Sequence, residues 1–134
     1  MKNTLLITDM PAIPFEFVLD CLYPKSPVVK PMFGCHAVYI DAKIVFILRD
    51  KENFPEDNGV WIATTKDHHE SLKKDFPSMR SIRVLGKGLT GWQVFPVTSD
   101  DFEESVVKAC GFVLKADSRI GKIPKPRYRK KNKR

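Results

Sequence analysis

The sequence has no long hydrophobic run. Near the N-terminus, Leu5-Leu6-Ile7 is interrupted by Asp9 and Pro11, which is too short for the apolar region of a secretory signal or for a membrane span. No other stretch approaches the ~20 apolar residues that a spanning helix needs, so no membrane partner is expected. Cysteine is scarce: Cys21, Cys35 and Cys110 are an odd number with no C-x-x-C spacing. That argues against a disulfide framework and suits reduced thiols packed as small hydrophobes, hence a cytoplasmic protein.

Histidine is limited to His36, His68 and His69. His68-His69-Glu70 invites a metal reading, but helical metal sites pair histidines at i, i+4, and adjacent positions point ~100° apart. His36 would have to converge with them from a separate element, so no metal site is expected. No nucleophile elbow or acid/base carboxylate pair is present, and neither a catalytic constellation nor a cofactor is expected. Cys35 beside His36 is the one pair that could serve an enzyme or small-ligand site. A nucleophile there needs an accessible thiol, which Gly34 could leave, and a histidine within reach.

Acid is nearly missing from the end of the chain. Residues 115–134 hold ten Lys/Arg and one acid, Asp117, for a charge of +9. The whole chain carries +7, so residues 1–114 carry −2. The basicity belongs to this segment, which has too little apolar content to build a core and reads as a flexible tail. Residues 12–114 read as one domain, following a loosely held arm over 1–11.

Within the domain, hydrophobic spacing predicts three helices. The first runs from Pro14 to Leu22, with Phe15, Val18, Leu19 and Leu22 on one face. The second runs from Lys66 to Phe76, capped by Thr65 or Asp67 with Glu70 as its capping-box partner. The third starts after Thr98, Ser99 or Asp100 as caps and buries Phe102, Val106, Cys110 and Val113. Strands are predicted over Val28–Phe33, Cys35–Ile40, Lys43–Arg49, Gly59–Ala63, Arg80–Leu85 and Trp92–Val97. Pro31 marks an edge strand, and the doubly apolar Lys43–Arg49 run marks a central one. The fold class is α+β: a two-layer α/β sandwich with a mainly antiparallel sheet, in the order α-β-β-β-(β)-α-β-β-α.

Two further patterns carry possible chemistry. Gly86-Lys87-Gly88-Leu89-Thr90-Gly91 spells G-x-G-x-x-G, but a dinucleotide site needs that loop to open a helix, and here it precedes a predicted strand. Phe33, Tyr39, Trp61 and Trp92 could line an aromatic pocket, although strand aromatics more commonly form core.

Met32-Phe33-Gly34, followed by the Tyr39-Ile40-Asp41 hairpin and an apolar strand, resembles the N-terminal domain of TfoX competence regulators. Glu70-Ser71-Leu72 running into Phe76-Pro77-Ser78-Met79-Arg80, the aromatic strand around Trp92 and a closing helix ending near Leu114 resemble the MmcQ/YjbR group. The likeness spans about residues 14–114 and departs at Ala42, where the family usually has Gly, and at the loop 50–58. It implies a two-layer fold with an antiparallel sheet in a bacterial cytosolic protein. Competence regulation or DNA binding is suggested for some members, and no catalytic residues carry over.

The functional expectation is a non-enzymatic regulatory or interaction module that binds nucleic acid or another polyanion through Lys122, Lys125, Arg127, Tyr128, Arg129, Lys130, Lys131, Lys133 and Arg134. The cations would act by counterion release, and Tyr128 by stacking on a base. The alternative is a module for a protein partner or homo-oligomer with no nucleic-acid role.

Overall fold

The computed structural model describes residues 12–85 and 91–124. The predicted arm, the glycine loop over 86–90 and the basic residues from Lys125 onward lie outside them. The chain order is α1 (Phe17–Cys21), β1 (Val28–Met32), β2 (Cys35–Ile40), β3 (Lys43–Arg49), β4 (Gly59–Ile62), α2 (His69–Asp75), β5 (Arg80–Ser81), β6 (Gln93–Pro96) and α3 (Phe102–Leu114). The strands form one antiparallel sheet in the order β1-β2-β3-β4-β6-β5, which is the predicted α+β class. Pro31, with no N–H to donate, lies on the edge strand β1, and β3 lies inside the sheet with both faces buried.

Alternation along the strands divides the core in two. Val38, Phe46, Leu48, Val60, Ile62 and Phe95 face the helices, where they meet Val18 and Leu22 of α1, Leu72 of α2 and the predicted stripe Phe102, Val106, Cys110 and Val113 of α3. Phe76, just past α2, centres this layer, with its ring 4.9 Å from Phe95 and 5.4 Å from Phe112. The opposite sheet face carries Cys35, Ala37, Ile44, Ile47, Trp61, Ala63 and Val94. Among the described residues no helix packs there. Ile82, Val84 and Trp92, all from outside the strands, lie against it instead.

Several predicted boundaries differ. The strand expected over Arg80–Leu85 is only two residues long. The carboxylate of Asp57, itself fully buried, accepts the backbone N–H groups of Arg83 and Val84, both at 2.7 Å, and so takes the donors a longer ladder would need. The second helix begins as a 3-10 turn over Lys66–His68, and its α-helical part starts at His69. Neither it nor α3 has a side-chain cap. The N–H of His68 goes to the Thr65 carbonyl and that of Phe102 to the Ser99 carbonyl, so backbone groups of the preceding turns take those donors.

The segment after Leu114, expected to leave the domain, stays on it through Pro124. The N–H of Asp117 reaches the Phe112 carbonyl and that of Ala116 the Val113 carbonyl, the paired bonds of a Schellman stop, with Ala116 at φ 60° where glycine is usual. Arg119 then grips both α2 and its own loop. Its guanidinium meets both carboxylate oxygens of Asp117 (3.0 and 2.8 Å) and reaches Asp75 at 3.1 Å. Ile120 is buried against the helical layer. Where β4 ends after Ile62, the chain returns: the N–H of Gly121 donates to Ala63, and Ile44 and Lys122 exchange backbone bonds of 2.9 and 3.0 Å.

Candidate functional site

On the helix-free side of the sheet, three of the four aromatics singled out in the sequence meet ring to ring. Trp61 and Trp92 lie 5.9 Å apart between centroids, and Phe33 stands 6.5 Å from each. Their exposures differ sharply. Trp61 is fully buried, and its indole N–H donates to the Asp57 carbonyl at 2.9 Å, whereas Phe33 keeps 52% of its surface exposed. Core packing thus accounts for Trp61 and leaves much of Phe33 unexplained. Tyr39 packs, partly buried, against the same layer under Lys30, whose Nζ is 5.1 Å from the ring centre.

Phe33 owes its position to a two-residue turn. Met32 pairs with Cys35 across the β1–β2 hairpin, leaving Phe33 and Gly34 as the linking residues. Both have positive φ, 56° and 72°. Two left-handed residues are what the twist of a tight hairpin favours, and Asn-Gly is the usual solution. A bulky ring at the first position costs about 1–2 kcal/mol of backbone strain. Edge contacts between aromatic rings, at about 0.5–1.5 kcal/mol each, can offset that cost.

Asp57 braces the wall of the cluster. One carboxylate oxygen accepts from Arg80 at 3.0 Å, while the other holds the backbone of Arg83 and Val84. Arg80 also donates to the Glu56 carbonyl. Arg49, almost fully buried, fastens the loop 50–58 through the Asn53 and Phe54 carbonyls and Asn58, each at 2.8 Å. This long loop, unremarkable as sequence, is therefore a polar scaffold behind Trp61.

Lys122 is the one predicted polyanion-binding residue within the described chain. It is exposed, and with Ile123, Pro124, Met32, Ile44 and Trp92 it lines a cleft of about 280 Å³. The bridge to Ile44 fixes this segment beside the aromatic cluster. Lys125, Arg127, Tyr128, Arg129, Lys130, Lys131, Lys133 and Arg134 continue the chain from Pro124.

The other sequence candidates do not assemble. Cys35 is buried, contrary to the access expected from Gly34: its thiol points at the Phe33 carbonyl, 3.4 Å away, within the helix-free layer. Burial raises its pKa despite the nearby charges of Arg49 and Lys51. His36, next along the strand, projects to the opposite face. His69 sits 3.1 Å from the Gly91 carbonyl, linking α2 to the strand entry. Gly91 leads into β6 and not into a helix, so the G-x-G-x-x-G pattern lacks the helix N-terminus a pyrophosphate needs. No metal-sized cluster of His, Cys, Asp or Glu occurs among the described residues. Nor is any described helix long and apolar enough to cross a membrane.

No family model, curated protein or solved structure matches this chain. Met32-Phe33-Gly34 forms the aromatic hairpin tip, and Phe76-Pro77-Ser78-Met79-Arg80 links α2 to β5.

Proposed function

We propose that this chain is a non-enzymatic module that binds nucleic acid, with the basic residues from Lys122 to Arg134 as its electrostatic arm. The observation that carries the reading is the position from which the arm starts. Residues 115–124 are fastened by Arg119, Ile120 and the Ile44–Lys122 bridge, so eight basic residues in thirteen begin at the rim of an apolar cleft that Trp92 lines. Concentrated cations release counterions from a phosphate backbone, and aromatic rings offer faces to bases. A domain that carries −2 over residues 1–114 has little electrostatic attraction for polyanions without this arm. A cytoplasmic regulatory role of the kind suggested for some TfoX-like proteins fits the same picture.

The test is the affinity of the full chain for labelled DNA and RNA at increasing salt. Affinity should fall steeply and linearly on a log–log scale. Absence of binding at low salt, or binding indifferent to salt, refutes the reading.

A further inference from the structure

We infer that the nucleic acid is single-stranded, and that an unpaired base stacks on the Phe33 ring. This rests on the nucleic-acid reading above and adds the class of ligand. Phe33 stands at the tip of a two-residue turn, with about half its surface outside the fold and its ring braced by Trp61 and Trp92. The bracing holds the ring in place before a ligand arrives, which lowers the entropic cost of stacking. Hairpin geometry does not call for phenylalanine here. At φ 56° a bulky side chain is strained, and asparagine or glycine would form the turn without that strain. Observed strain at an exposed aromatic is the kind that persists at ligand sites.

Charge selects the occupant. Lys51 reaches the turn beside Phe33, with its Nζ 2.6 Å from where a Cβ on Gly34 would stand. Lys122 lies on the cleft beside Trp92, and seven more Lys/Arg follow over residues 125–134. An apolar peptide would gain nothing from these cations, whereas a strand of phosphates with unstacked bases uses both the cations and the ring. A duplex hides its base faces inside the stack and could meet only the cations.

The chain's two tryptophans both belong to this cluster, so intrinsic fluorescence reports on the site directly. The full chain is titrated at one salt concentration with a deoxythymidine homopolymer and with a duplex of equal length. The single strand should bind more tightly and change tryptophan emission. Phe33→Asn, chosen because asparagine tolerates the left-handed turn, should weaken single-strand binding roughly five- to a hundred-fold and leave duplex binding unchanged. Phe33→Tyr should retain single-strand binding. Equal affinity for both polymers with unaltered emission overturns the inference and leaves the polyanion reading intact, whatever the fate of the variants. Binding to neither polymer overturns both.

Discussion

Lys122 and Ile44 exchange two backbone hydrogen bonds, 2.9 and 3.0 Å long, that join the C-terminal segment to the interior of the sheet. The bridge takes the ladder position beside β3 that β4 leaves after Ile62. The chain beyond Leu114 is therefore structural as far as Pro124. A chain ending at Leu114 loses the buried Ile120 and the Arg119 contacts, and should lose about 2–4 kcal/mol of stability in a denaturant melt. A chain ending at Pro124 should stay within about 0.5 kcal/mol of the full chain.

The Schellman stop of α3 places Ala116 at φ 60°, where an alanine Cβ is crowded and glycine is not. Ala116→Gly should raise stability by about 0.5–1 kcal/mol. Urea midpoints of the two proteins provide the check, and a decrease would mean that the turn is not left-handed in solution.

Arg119 pairs with Asp117 through two contacts, and this hydrogen bonding holds the Asp117 carboxyl below the ordinary aspartate range. A folded pKa below the unfolded value of about 3.9 means that the contribution is complete above that pH. It disappears as pH falls through the lower folded value. Asp117→Asn should cost about 0.5–1 kcal/mol at pH 7, and the gap to wild type should close below about pH 4. Thermal melts of both proteins at stepped pH measure this.

Thiol chemistry separates the cysteines. Burial pushes Cys110 up to about 12 and also raises Cys35, while Cys21 is only partly covered. A thiol reagent at pH 7 should modify Cys21 first and reach the other two only as the protein unfolds. Rapid labelling of native Cys35 would reopen a nucleophilic role beside His36.

Much of this fold is legible because periodicity coincides with burial. β2 and β3 have the predicted bounds, and Phe102, Val106, Cys110 and Val113 form the buried stripe of α3. Periodicity does not register long-range polar bonds. Asp57 ends β5 by binding backbone N–H groups 26 and 27 residues away, and nothing local to Arg83 or Val84 announces it. The attachment of residues 115–124 is partly written in the sequence: Ile120 and Ile123 are aliphatics among charges, and Asp117 and Arg119 are spaced to pair. The net charge of the segment masks both. At the candidate site the aromatics are visible as residue types, but only the turn at Phe33 shows which ring is exposed.

The most direct measurement is the salt dependence of nucleic-acid affinity for the full chain and for a full-length variant with all seven Lys/Arg of residues 125–134 changed to Gln. Each lost phosphate contact should flatten the log–log slope by about 0.9 on duplex DNA or about 0.7 on a single strand, and weaken binding at low salt. Identical affinities and slopes for the two proteins would contradict a nucleic-acid role for the basic arm.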